Sequence, residues 1–398
     1  MRILFKKNIS PGITGRFFFR KAFPMPLLVF IAISLIFTNP VHPEIFTVPP
    51  SLVAQKDFGD SLFYEQYTHP LTGPFHLVRV KLTSEKWCVK PAINPHGVTK
   101  AGTVSELALA SNPDAVCAIN ASFFDPGNYP VGTVAISGNI MTLDNRKRST
   151  IGIKSSGKAV MRIIKPRAFV TPDDYFEPIW IWGYNHPATG DSIMAYNILW
   201  ETDHVTLPKD GAGVIIENGK VTSIVESGIC AIPNDGLVLL FRGDSKEHLA
   251  RFKVGCNVTL GVTMPEEWEG VSDMVTGGPR LIENGRVVDL KVHREGLASS
   301  FFKPHQRSIT GFTWNNEFFF ALFPNPVTYE QLASVLLDLN VRDAIGLDGG
   351  SSSTLWVKGE KSINGSKEVP VALVVVPRDK ENSSYTPIPF YKDGFRYQ

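Results

Sequence analysis

The stretch TYEQLASVLLDLNVRDAIGLDGGSSST, Thr328 to Thr354, carries a helix signal, a strand signal and a small-residue loop in one run. Thr328 and Gln331 stand at the spacing of a capping box, in which each side chain satisfies the other's backbone N–H. Leu332, Val335, Leu336 and Leu339 then repeat at i, i+3, i+4 and i+7, which puts one apolar stripe on a helix. The segment DAIGL follows as a buried strand that stops at Asp348. An earlier stretch has the same order: Thr103 and Glu106 cap TVSELALAS, and DAVCAIN runs as a strand to Asn120. The two helix–strand units are expected to lie side by side and bring Asn120 and Asp348 to one edge of a sheet.

Around these units the chain alternates short β-like runs with turn dipeptides. Asn218-Gly219 and Asn284-Gly285 sit between apolar-alternating arms and predict hairpins, and SGNIM and SINGS suggest two further turns. The fold class expected is α+β, with mixed, mostly antiparallel sheets, several hairpins and a few packed helices.

The chain has 398 residues, 43% hydrophobic and 20% charged, which reads as globular. Its formal net charge is +2, and Arg2, Lys6, Lys7, Arg16, Arg20 and Lys21 lie in a leader without an acid. The remainder has no basic field suited to a nucleic-acid backbone, so no nucleic-acid partner is expected. The leader runs into an apolar stretch, Leu27 to Phe37, shorter than the ~20 residues of a spanning helix and suited to a signal-peptide core. No clean cleavage site follows, so residues 24–37 also serve as a membrane tether if they are retained. The expected location is extracytoplasmic, periplasmic or secreted. The organisation expected is a leader over 1–37, a linker over 38–60, one domain over 61–377 and a polar tail over 378–398. Cys88, Cys117, Cys230 and Cys256 allow up to two disulfides or serve as small buried hydrophobes. No Cys/His cluster suggests zinc, and no metal ligand set is assigned.

Four places carry candidate chemistry. Asn120 ends a strand and opens AINASFFDPGNYPVG, where it can orient a sugar hydroxyl or phosphate, or simply close the strand as an Asx-turn. In DMVTGGPRL, Gly277 and Gly278 admit close backbone approach, with N–H groups for an anion and Arg280 as a phosphate fork. In HQRSITGFT, Arg307 enters a strand on which Ser308 and Thr310 share a face. In the opening stretch Asp348 is followed by Gly349, Gly350, Ser351, Ser352 and Ser353, which give a carboxylate room and surround it with hydroxyl and N–H donors. A further segment, Tyr175 to Trp200, is dense in aromatics; it reads as aromatic core, or as flat faces for a sugar.

In serial order AINASFFD, IPNDGLVLLFRG, VTGGPRLIENGRVV, HQRSITGF, IGLDGGSSSTLWVKG and EVPVALVVV resemble the phosphodiester glycosidase family, from about Cys88 to Val376. The chain departs from that pattern at Ala121-Ser122, at Ser351 in place of a third glycine and at Ser308 in place of threonine. Before the last apolar strand the family often has an arginine, where this chain offers Lys367 and Glu368. The resemblance implies cleavage of the bond between a sugar anomeric carbon and a phosphodiester oxygen, in an envelope glycan or exopolysaccharide. Asp348 would serve as the catalytic carboxylate and Asn120 would orient the sugar. The phosphate would sit on Arg280, Arg307 and the glycine and hydroxyl loops. No cofactor is firmly implied, although an oxygen-ligated cation such as calcium is left open at Asp348. Two rivals stand beside this reading: a non-catalytic phosphoglycan-binding protein of polysaccharide assembly, and a metal-dependent phosphodiesterase.

Overall fold

The computed structural model describes residues 48–144, 146–365 and 367–378, and the backbone of a strand at Phe390–Lys392. The basic leader and its apolar stretch lie outside the described residues, as does most of the tail. Among the described residues, no helix is long and apolar enough to cross a membrane.

Two antiparallel sheets form the frame of the site. The first has eight strands in the order Ser51–Gly59, Leu62–His69, Gly73–Lys81, Glu317–Val327, His305–Thr313, Val341–Gly346, Arg280–Glu283 and Arg286–Val287. The second has four, in the order Leu355–Val357, Cys117–Asn120, Val371–Pro377 and Trp87–Ile93. Strand periodicity explains how they stack. In the run FFFALF, Phe318, Phe320 and Leu322 enter one core, while Phe319, Ala321 and Phe323 enter another on the opposite face. Likewise Val371, Leu373 and Val375 meet the first of these cores, and Ala372, Val374 and Val376 turn to a third. The shared core joins the two sheets face to face. Helix Tyr329–Asp338 covers the outer face of the eight-stranded sheet and helix Val104–Ser111 that of the four-stranded one. Both helices carry the expected capping box, with Gln331 N–H on Thr328 and Glu106 N–H on Thr103.

Most of the remaining strands lie between residues 134 and 276 and build further sheets; many of their side chains, including Trp268, Phe241, Ile179 and Ile181, form another core, while Val134, Ile151 and Val275 join the one between the two sheets. Strands occupy 50% and helices 11%, so the protein is more β-rich than a balanced α+β fold. Among the described residues pairing is antiparallel except at two places, Gly183–Tyr184 with Ser192–Tyr196 and Val258–Met264 with Phe390–Lys392. The Asn218-Gly219 and Asn284-Gly285 hairpins form as expected, with φ of 50° and 72° at the first pair and 48° and 72° at the second.

Two expectations need correction, and of the two readings left open for the cysteines the structure takes the unbridged one. The helix–strand units do not share a sheet: each helix covers one face of its own sheet, and the strands' other faces pack against each other. Residues 51–59, expected as linker, form the edge strand of the eight-stranded sheet; their side chains are mostly exposed, so no buried alternation marks them. No disulfide joins the four cysteines, all of which are described. Cys88 and Cys117 lie on strands either side of Val371–Pro377, two strand spacings of about 4.8 Å apart, beyond the Cα reach of a disulfide.

Candidate active site

The ends of the two sheets meet where strand Val341–Gly346 runs out into Leu347 and Asp348. Asn120, at the end of its strand in the other sheet, donates from Nδ2 to the carbonyl of Asp348 at 2.6 Å. Its Oδ1 accepts from the Ser308 hydroxyl at 2.6 Å and from the Thr354 N–H at 3.0 Å. The Asp348 N–H is held by the Ala121 carbonyl at 3.0 Å, and the Leu347 N–H by that of Ser308 at 2.8 Å. Gly278 N–H reaches the Gly346 carbonyl at 2.8 Å, and a Cβ on Gly277 would stand 2.5 Å from that same oxygen. Glycine at 277 is therefore a packing requirement. Four segments distant in sequence, around residues 120, 278, 308 and 348, are thus tied to one another by direct hydrogen bonds.

Asp348 is half-buried at this junction. Burial pushes its carboxyl above the usual range, against the Ser352 hydroxyl, the Lys367 charge and the Gly349 N–H, which favour the ionised form. Beside it, Gly350 has φ of 64° and open space where a side chain would be. Ser351 is exposed, whereas Ser352 and Ser353 are buried. The buried hydroxyls of Ser122, Ser353 and Thr354 have no hydrogen-bond partner among the described residues, a shortage that a polyhydroxyl ligand or water would relieve.

Arg307 is the buried cation of the site, 2% exposed. Its Nη2 donates to the carbonyls of Phe301 at 2.8 Å and Lys303 at 2.5 Å, its Nε to Val327 at 3.3 Å, and its guanidinium lies 3.9 Å over the Tyr329 ring. Nη1 would be 3.5 Å from a Cβ on Gly349. Desolvation pulls its pKa down. Burial pushes the Tyr329 hydroxyl up to about 12, with a further contribution from the Asp348 charge.

Three assigned residues sit differently from expectation. Arg280 has its Nη1 on Glu283 of its own strand, and the contact between them is very short, while its Nε is buried with no hydrogen-bond partner among the described residues. The Arg280 N–H instead donates to Glu295 at 2.6 Å. Thr310 gives its hydroxyl to the Phe319 carbonyl at 2.9 Å inside the sheet. Asn120, 0% exposed, has its carbonyl oxygen fully engaged within the protein and positions the Asp348 loop instead of a sugar.

One residue escaped the sequence reading. The Glu295 carboxylate accepts from the N–H and hydroxyl of Ser149, at 2.6 and 2.8 Å, as well as from Arg280, pinning the Gly278 loop to a neighbouring sheet. Its only signal is a left-handed φ of 50° immediately before Gly296, which no pattern announces. Lys367, which stands near the family's closing arginine, reaches over the Phe124 ring at 5.1 Å, and its charge acts on Asp348. Phe123, next in the chain, packs edge-on against Phe301 and under Arg148, so the loop after Asn120 walls the site.

The serial motifs and their convergence now have a counterpart among known proteins. Residues 210–376 match the phosphodiester glycosidase family. That segment includes Arg280, Arg307, Asp348 and Lys367, while Asn120 lies before it. The fold is similar to that of a hypothetical protein from Synechocystis, with 21% identity and a TM-score of 0.70, over 84% of this chain and 64% of that one. The chain therefore spans just under two thirds of that relative's length. It is also similar to a putative exported protein from Burkholderia pseudomallei, with 15% identity and a TM-score of 0.61, over 79% and 74% of the two chains. The catalytic domain of zebrafish N-acetylglucosamine-1-phosphodiester alpha-N-acetylglucosaminidase, auto-inhibited by its pro-peptide, aligns over 83% and 89% at 13% identity, with a TM-score of only 0.40. No curated protein matches the sequence significantly.

Proposed function

We propose that this phosphodiester glycosidase-like chain is an exported hydrolase that cleaves the sugar C1–O bond of a glycosyl-1-phosphodiester in an envelope glycan or exopolysaccharide. The observation that carries the reading is the desolvated Asp348 carboxylate at a strand end, with the buried Arg307 and the rim Lys367 beside it. A phosphodiester oxygen leaves as a stable anion, so the reaction needs little general-acid assistance. It needs positive charge where the phosphate departs and negative charge where C1 becomes oxocarbenium-like. In this assignment the C1–O bond breaks with its electron pair going to the phosphate, held at Arg307, Lys367 and the loop N–H groups. Asp348 stabilises the cationic carbon and takes the proton of the water that adds to it. The unpaired hydroxyls of Ser122, Ser353 and Thr354 suit a sugar ring better than an apolar group. Replacing Asp348→Asn keeps the shape of the side chain and should lower kcat by about 10²–10⁴-fold. A folded variant with near-native release of sugar from a sugar-1-phosphodiester would remove Asp348 from the mechanism.

A further inference from the structure

Arg307, Arg280 and Arg146 have their guanidinium groups engaged within the protein. Arg307 lies on carbonyls and the Tyr329 ring, and Arg280 has its Nη1 on Glu283. Arg146 spans two carboxylates, with Nη2 and Nη1 on Asp125 at 2.5 and 3.2 Å and Nε on Asp144 at 2.6 Å. Arg148 differs. Its side chain is half-buried, and its Nη1 is buried with no hydrogen-bond partner among the described residues. The charges of Asp144, Glu295 and Asp125 reach it through space. Their hydrogen bonds go elsewhere, to Arg146 from the two aspartates and to Ser149 and the Arg280 N–H from Glu295.

The position of Arg148 ties it to the Asp348 site. It opens the strand Arg148–Lys154, and the carbonyl of the next residue, Ser149, accepts the Gly277 N–H at 2.9 Å. Continuing the register in which Thr150 faces Thr276, Arg148 stands across from Gly278, whose N–H holds the Gly346 carbonyl. Its guanidinium lies 5.6 Å over the ring of Phe123, in the loop that leaves Asn120. Phe123 packs edge-on against Phe301, with centroids 5.4 Å apart, and the Phe301 carbonyl is one of those on Arg307. Arg148 and Arg307 thus flank one aromatic pair on the wall of the site.

A cation drawn half out of water with a donor unmade costs free energy, and folded chains normally meet such a group with a partner. Burial pulls the Arg148 pKa down, and the neighbouring Arg146 charge adds to that pull. A water molecule would satisfy the donor but not the charge, whereas an oxyanion satisfies both. The planar fork of a guanidinium suits the oxygens of a phosphate in particular.

We infer that Arg148 is an anion-binding residue on the wall of the Asp348 site, where its guanidinium takes a phosphate oxygen of the substrate. This deepens the hydrolytic reading and rests on it for the identity of the substrate, but phosphate binding through Arg148 is open to test without turnover.

Isothermal titration of the full-length protein with inorganic phosphate at low ionic strength provides that test. The native protein should bind saturably. Arg148→Met keeps an apolar stem over Phe123 and Arg148→Gln a polar one; each should weaken binding about tenfold, the scale of one charge-assisted hydrogen bond. Arg162→Met removes an exposed cation paired with Glu267 on the adjoining strand and should leave the affinity unchanged. Circular dichroism establishes which variants fold. No saturable binding by the native protein, native affinity in a folded Arg148 variant, or an equal loss in Arg162→Met would each overturn the inference. A protein that binds phosphate through Arg148 yet releases no sugar would count against the hydrolytic reading alone.

Discussion

At the scale of single residues, Asn120 and Asp348 exchange the roles that a site-by-site reading gives them equally. Asn120 carries no ligand-facing oxygen, because both acceptor positions of Oδ1 are filled by Ser308 and Thr354. Its work is to fix the backbone of Asp348. Asn120→Ala should therefore orphan the Thr354 N–H and the Asp348 carbonyl, at about 1–3 kcal/mol for each buried group. Chemical denaturation should show that loss of stability, and unchanged stability with lost activity would mean that Asn120 acts on the substrate after all. Both residues were legible as strand ends from the sequence. What was not legible was the pairing of their side chains and main chains, since hydrogen-bond partners hundreds of residues apart leave no local pattern. Arg280 shows the same limit: a guanidinium after two glycines fits a phosphate fork, but a glutamate three residues on captures it.

At the scale of elements, periodicity carried most of the information. The alternation in FFFALF and VALVVV assigns each side chain to one of two cores, and the two capping boxes locate both helix starts. Sheet membership was not encoded this way. A strand buried on both faces reads the same whether its neighbour lies beside it or above it, so two stacked units looked like two paired ones. The exposed edge strand Ser51–Gly59 failed for the opposite reason, having no buried face to produce a signal. The segment from Gly359 to Val369 matters most for chemistry, because it brings Lys367 to Asp348. Removing that cation in Lys367→Met takes away a stabiliser of the ionised carboxylate, so the pKa of Asp348 rises. If ionised Asp348 is the working form, the acid limb of kcat/KM should move to higher pH, by a shift that added salt diminishes because Lys367 is exposed and screened. A limb that stays in place, or moves to lower pH, would separate Lys367 from the carboxylate.

At the scale of the whole molecule, two sheets share one core and their strand ends form a floor, and the loops at 121–132, 277–280, 297–304 and 348–354 rise from it. Loops on such a frame can differ in sequence while the frame holds them, which fits a fold shared at 15–21% identity. The hydrolytic account makes one demand of the reaction as a whole: the sugar C1–O bond, not the phosphorus–oxygen bond, must break. Hydrolysis of a sugar-1-phosphodiester in ¹⁸O-labelled water reads this directly by mass spectrometry. Label on the anomeric oxygen of the released sugar, with an unlabelled phosphate monoester, is the predicted result. Label on the phosphate would contradict the account, because then no oxocarbenium-like centre would form for Asp348 to stabilise.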